Sequence, residues 1–82
     1  MDYSKIISNR IIQLCHERNI TINKLATMSG LKQSTVDNII HGKSKNPQIY
    51  TLHKISISFN MTLSEFLDFS ELNALQLDED DD

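Results

Sequence analysis

The residues with the clearest chemistry lie close together in the middle of the chain. Gln33, Ser34 and Asn38 precede a loop that reads Gly-Lys-Ser-Lys-Asn-Pro over residues 42–47. Gln and Asn amides can each form two hydrogen bonds with an adenine edge, Ser is a short donor or acceptor, and loop lysines neutralise phosphates. The three polar residues fall at the start of a predicted helix and one turn further along, which is the end that proteins insert into the major groove. The stretch therefore predicts contact with double-stranded DNA.

The spacing of apolar residues predicts the helices that position this stretch. A first helix is predicted from Ser4 to Asn19. Thr21 is a good N-cap for a short second helix, and Gly30 suits the left-handed conformation that ends one. A third helix is predicted over residues 33–41, with its apolar side chains on one side and its polar side chains exposed.

Two further helices and no strand are predicted after the basic loop. The apolar positions of the fourth helix, Leu52, Ile55 and Phe59, repeat at three and four residues. Thr62 and Glu65 form a capping box for a short fifth helix. We therefore expect an all-α fold of five helices.

The net charge of −3 conceals an uneven distribution along the chain. All eight Lys and Arg residues lie between positions 5 and 54, where Glu17 and Asp37 are the only acids, so this stretch carries +6. An unbroken acidic run extends from Asp78 to Asp82. We expect one domain with a basic body over residues 1–70, and a C-terminal segment over residues 71–82 with a disordered acidic tail.

Several other classes of protein are disfavoured. Cys15 has no second cysteine for a disulfide, and no apolar run suggests a leader or a membrane span, so a cytoplasmic location is expected. Cys15 and His16 would point about 100° apart on a helix, which argues against a shared site. His53 has no companion ligand at metal spacing. We predict no enzyme activity, no metal, no cofactor and no small-molecule ligand.

Together, these residues resemble the lambda-repressor-like family of Xre/Cro-type transcriptional regulators. The likeness runs from Arg10 to Phe66, and its specificity lies in the joint order and spacing of the matching fragments. The fragments are Arg10-Ile11 with Leu14, Asn19-Ile20-Thr21, Leu25-Ala26, Gly30-Leu31, Gln33-Ser34-Thr35-Val36, Ile39, Gly42-Lys43, Pro47, Leu52, Lys54-Ile55 and Leu63-Ser64-Glu65-Phe66. The resemblance implies a five-helix domain in which the second and third helices form a helix-turn-helix.

The resemblance also implies roles for individual residues. Base contacts are expected from Gln33, Ser34 and Asn38, with Thr35 nearby. Phosphate contacts are expected from the loop and from residues around the helix-turn-helix, namely Arg10, Thr21, Lys32, His41, Lys43, Ser44, Lys45 and Asn46. His41 fits a plain surface position equally well.

Three residues depart from the family pattern. Ile22 stands where the family has a phosphate-reaching Gln, so one contact is lost. Lys32 stands where the family has a capping Ser or Thr, and a DNA phosphate would offset its charge at the helix N-terminus. Ile40 replaces a Glu that pairs with the arginine of helix one, and Arg10 is then expected to be free to meet DNA.

The C-terminal third carries more large apolar side chains than a short segment can hide on a small body. Such a surface marks an interface, and a two-fold pair is the simplest arrangement. We expect a homodimer that reads a pseudo-palindromic operator. Its interface is predicted from Phe66, Leu67, Phe69, Leu72 and Leu75, with Leu77 beside them.

The preferred interpretation is a transcriptional regulator, with repression as the expected action. One alternative is a protein-interaction module, such as an anti-repressor or adaptor, although such a module has no need of the +6 segment. Another is the antitoxin of a toxin-antitoxin pair. The tail Asp78–Asp82 is expected to compete with DNA for the basic face.

Overall fold

Helices form the regular structure of the described part of the chain. The computed structural model describes residues 3–76, and no strand occurs within them. The helices are α1 (Tyr3–Glu17), α2 (Ile22–Ser29), α3 (Gln33–Ile40), α4 (Ile49–Ser58), α5 (Leu63–Leu67) and α6 (Ser70–Asn73). The all-α prediction is confirmed, and α1 to α5 correspond to the five predicted helices. The single turn α6 was not predicted, because the apolar pattern gave one helix through Phe69, a residue that is extended at φ −144°.

The turns between helices occur at residues that cap a helix or tolerate a left-handed backbone. The Thr21 hydroxyl oxygen accepts a hydrogen bond from the backbone N–H of Lys24 at 3.0 Å, which caps α2 as predicted. Gly30 ends α2 at φ +70°, the left-handed conformation that glycine adopts without steric cost. Asn19 and Asn60 follow α1 and α4 with φ of 54° and 59°. Asn tolerates this region better than most residues, which permits sharp turns at both places.

A single apolar core fixes α3 against the other helices. The α2 and α3 helices pack on each other, α1 packs on α3, and α4 packs on α2. The side chains without solvent exposure include Val36 of α3 and Leu25 of α2. The remaining members of the core come from α1, α2, α3, α4 and α5, namely Ile7, Ile11, Leu14, Cys15, Ala26, Ile39, Leu52, Ile55, Phe59 and Phe66. Burial of one side of α3 leaves its opposite side in solvent.

The C-terminal apolar residues are less exposed than the sequence suggested. Phe66 has 0% of its surface exposed, so its predicted place in a dimer interface is wrong: the side chain fills the core of its own chain. Leu67, Phe69 and Leu72 are half-buried and pack against that core. Leu75 is half-buried as well. A short segment hides these side chains because α6 folds back against α1.

The predicted tail at Asp78–Asp82 lies outside the described residues, as does Leu77. The division of the chain at residue 70 therefore stays a prediction. The turn α6 begins at this residue.

The capping box of α5 gives a prediction on acid stability. The Thr62 hydroxyl oxygen accepts from the Glu65 N–H at 3.0 Å, and the Glu65 carboxylate accepts from the Thr62 N–H at 2.8 Å. The bonds to the Thr62 backbone and then to its hydroxyl lower the pKa of Glu65 below its usual value. A lowered pKa in the folded state means that the carboxylate stabilises the fold above its unfolded pKa and loses this effect as the pH falls through the folded value.

We expect the Glu65→Gln variant to lose less stability than the parent between about pH 6 and about pH 3, because Gln accepts the same bond without titrating. Urea unfolding of both proteins at several pH values measures the difference. Glu71, whose pKa is also lowered, with the Ser70 hydroxyl bond as the largest cause, tests the same linkage at a second carboxylate, and Glu71→Gln should likewise lose less stability in acid than the parent. Equal acid sensitivity in the parent and in Glu65→Gln would contradict the role given to the box.

Candidate nucleic-acid interface

The predicted base-contacting residues lie together on the solvent side of α3. Gln33, Ser34 and Asn38 are exposed, and Thr35 is half-buried beside them. The helix begins after Lys32, which is extended at φ −64° and ψ 143°. Its side chain makes no capping hydrogen bond, as expected for a lysine, which has no side-chain oxygen. The α3 N-terminus therefore keeps its partial positive charge without a capping side chain, an environment that favours a phosphate.

The Gln33 amide is held in a defined orientation. Its Nε2 donates to the Asp37 carboxylate at 2.9 Å, one helical turn away. One amide hydrogen is used in this bond, and Oε1 and the second hydrogen stay available. An adenine edge offers one donor and one acceptor, so these two atoms are sufficient for a bidentate pair.

The basic loop is tied to the end of α3. The backbone N–H groups of Lys43 and Ser44 both donate to the Asn38 carbonyl, at 2.9 and 3.3 Å. Gly42 makes this return possible because it adopts φ +70°, and the Ser8 hydroxyl donates to the Ile40 carbonyl, which anchors the same end on α1. The loop thus lies at a fixed distance from the α3 side chains.

The loop residues present the expected chemistry to solvent. Lys43, Lys45 and Asn46 are exposed and Ser44 is half-buried. A groove of about 630 Å³ runs between α3, the loop and the start of α4. Thr35 and Asn38 of the predicted base-contact set and Lys43, Ser44 and Asn46 of the predicted phosphate-contact set therefore line the same groove.

The groove also contains residues that the sequence analysis did not select. Gln48, Tyr50 and Thr51, at the start of α4, line it together with Thr35 and Asn38. Tyr50 is 65% exposed, and the Lys54 ammonium lies 4.9 Å from its ring centroid. Their signal in the sequence is weak, because polar residues are common at the start of a helix for many reasons. Only the approach of α4 to α3 shows that they border the same groove.

Two further predicted phosphate contacts lie at helix ends. Thr21 is exposed, and its hydroxyl keeps its own hydrogen after it has accepted the Lys24 N–H. His41 is exposed and its Nδ1 lies 2.7 Å from the Asp37 carbonyl oxygen. A carbonyl can only accept, so Nδ1 carries the hydrogen in this contact and Nε2 is the nitrogen left for another partner. Ile22, in place of the phosphate-reaching Gln, packs against the core instead.

Arg10 is not free to meet DNA, and that prediction is wrong. Its Nε donates to the Phe66 carbonyl at 3.0 Å and its Nη2 donates to the Glu65 carbonyl at 3.2 Å. The guanidinium carbon also lies 4.8 Å from the Phe69 ring centroid. Ile40 cannot pair with Arg10 as the family's Glu does. The Arg10 guanidinium instead binds carbonyl oxygens near the C-terminus of α5, where the helix dipole favours a cation.

The remaining chemically interesting residues form no site. Burial raises the pKa of the Cys15 thiol, so the reactive thiolate is disfavoured. Within residues 3–76, no three His, Cys, Asp or Glu side chains are grouped in a way that could hold a metal ion. In the same range, no helix combines the length and the apolar character that a membrane crossing requires.

The chain is similar to known DNA-binding domains. The family model of the Cro/C1-type HTH DNA-binding domain matches residues 10–71, which include α2, α3 and the basic loop. The crystal structure of the prophage Lp1 protein 11 is similar to this chain with a TM-score of 0.80 and 34% sequence identity, over 92% of this chain and 100% of that one. No curated protein sequence matches the chain.

Proposed function

The chain belongs to the family of Cro/C1-type HTH DNA-binding domains, and from this premise we propose that it is a sequence-specific transcriptional repressor that binds its operator as a homodimer. The observation that carries the proposal is the surface shared by α3 and the basic loop. It combines side chains suited to base edges with lysines suited to phosphates, and the Asn38 carbonyl holds both parts together.

Specificity would come from Gln33, Ser34 and Asn38, with Thr35 at the edge of the same surface. Each amide is able to discriminate adenine from other bases by its donor and acceptor pattern. Lys43, Lys45 and the N-terminus of α3 would supply the part of the binding energy that does not depend on sequence. The protein would act in the compartment that holds the DNA, which is the cytoplasm in a cell without a nucleus.

Repression needs only that the domain binds DNA. A bound domain blocks a promoter by occupying it, whereas activation needs a further surface that recruits polymerase. The basic body also argues against the alternative of a pure protein-interaction module. A net charge of +6 over residues 5–54 destabilises the fold through repulsion between like charges. Binding to DNA phosphates offsets this repulsion and contributes to affinity.

Selection from a pool of random duplexes tests the proposal directly. We expect the enriched sequences to share a pseudo-palindrome whose half-sites lie about one helical turn apart, with adenines at the positions that Gln33 and Asn38 contact. The Lys43→Ala variant is the control, because it should enrich the same sequence with lower affinity. Enrichment of no sequence above the starting pool would contradict sequence-specific binding.

A further inference from the structure

One side of α4 is apolar and exposed. Ile49, Tyr50 and Ile57 have 62%, 65% and 63% of their surfaces in solvent, and His53 is exposed between them. These four residues, the α4 face, fall within about 100° of arc on the helix. Leu52, Ile55 and Phe59 occupy the opposite, buried side. None of the four side chains carries a fixed charge, and a compact exposed apolar surface of this kind usually marks an interface.

We propose that the α4 face is where a second copy of this chain binds, so that α4 pairs with its symmetry mate. The inference rests on the proposed function, since it identifies the surface that makes the operator-bound protein two-fold symmetric. It also replaces the interface predicted in the C-terminal third. Within the described residues, the side chains predicted there are buried or half-buried, whereas three residues of the α4 face are each more than 60% exposed.

The way in which DNA is read favours a second copy as the partner. One recognition helix of eight residues presents about four side chains to base edges and covers about three or four base pairs. So short a sequence recurs too often in a genome to mark one site, since competing sites number in the millions. A symmetric pair doubles the sequence that is read without any new chemistry.

The position of the α4 face suits this pairing. The start of α4 borders the groove of α3, where Tyr50 and Thr51 line the same surface as Thr35 and Asn38. Pairing through the α4 face therefore brings the α3 grooves of the two copies to either side of the shared contact. Ile57 lies at the other end of α4, beside Asn60 and Thr62, and lines no part of the α3 groove.

The size of the α4 face sets the strength of the pair. Its side chains offer roughly 300 to 400 Å² from each copy, less than the about 800 Å² per partner of a typical stable complex. The free protein should therefore associate weakly. Two copies on adjacent half-sites are held at high effective concentration, and the same contact then becomes cooperativity on DNA.

The variants Ile57→Glu and Ile57→Lys test this inference, because both place a charge in the α4 contact and should disrupt it. Their opposite charges would change the electrostatic attraction to DNA in opposite directions, so a loss common to both variants reports the contact itself. On a duplex with two half-sites of the selected sequence, the parent should bind the second copy at least about tenfold more tightly than the first. Both variants should lose this cooperativity and keep the parent's affinity for a single half-site. Sedimentation of the free proteins at increasing concentration should show dimer formation in the parent and in neither Ile57 variant.

The controls are Ile12→Glu and Ile12→Lys on α1, where the isoleucine is 44% exposed, and Leu75→Glu in the C-terminal segment. All three should keep the cooperativity of the parent. Cooperativity that survives in both Ile57 variants, or that is lost only in Leu75→Glu, overturns the α4 pairing. Independent binding of single half-sites by the parent overturns it as well, while sequence-specific DNA binding stands. A parent that enriches no sequence removes the proposed function itself, and sedimentation then decides the α4 pairing alone.

Discussion

Replacing Gln33 by Ala is expected to reduce the preference of the protein for its selected duplex over random duplex by about 1 to 3 kcal/mol, with a similar loss for Asn38→Ala. Both amides lie on the exposed side of α3. Truncation to Ala would remove the bidentate pair that we propose for each of them. Since about 1.4 kcal/mol corresponds to tenfold in affinity, titrations on the two duplexes resolve the difference readily.

The matched control for this prediction is Lys43→Ala in the neighbouring loop. A lysine that contacts a phosphate contributes equally to every sequence, so the variant should weaken binding to both duplexes by the same factor. It should also lower the slope of log affinity against log salt by about one. Equal losses on both duplexes for Gln33→Ala would show that Gln33 contacts the backbone and not a base.

Asp37 gives a second way to examine the Gln33 contact. Its carboxylate accepts from Gln33 and fixes which amide atoms face outward. Asp37→Asn removes a negative charge near the DNA surface, which should strengthen binding to random duplex. The same change weakens the orientation of Gln33 because an Asn oxygen is a poorer acceptor than a carboxylate. Specificity should therefore fall while general affinity rises.

Much of the fold could be predicted because the controlling interactions are local in sequence. The cap at Thr21, the left-handed Gly30 and the reciprocal box of Thr62 and Glu65 each lie within a few residues, and all of them are present in the structure. Apolar spacing assigned α1 to α5 because one face of each helix must be buried. The exposed set on α3 follows from the same rule, since residues opposite Val36 must face solvent.

The parts that could not be predicted depend on distant or backbone partners. Arg10 binds carbonyl oxygens more than fifty residues away. Every residue has a backbone carbonyl, so the residue types in the sequence do not reveal such a partner. Phe66 fills the core because α5 returns to it, which composition alone cannot distinguish from an exposed apolar patch. The place of Tyr50 beside α3 depends on how α4 approaches α2 and α3 in space.

Replacing Arg10 by Ala is expected to destabilise the fold by about 2 to 3 kcal/mol while leaving the salt dependence of DNA binding unchanged. The Arg10 guanidinium joins α1 to α5 by two charge-assisted bonds, at 3.0 and 3.2 Å, and it stacks on Phe69. A bond to a charged group contributes about 1.5 to 3 kcal/mol when shielded, and the outer of these two is exposed and counts for less. The cation-π contact adds about 0.5 to 1 kcal/mol at such a site.

Arg10→Lys is the control that separates charge from geometry. A single ammonium keeps the positive charge but cannot present two fixed N–H groups to the Glu65 and Phe66 carbonyls, so most of the stability should be lost here too. Urea unfolding measures the first effect, and salt titrations on random duplex measure the second. An arginine that binds phosphate would give the reverse result, with unfolding unchanged and the salt slope lowered by about one in Arg10→Ala. Because the carbonyls of α5 hold both donors, the loss should be in stability, and α5 should be the first helix to lose its hydrogen-exchange protection.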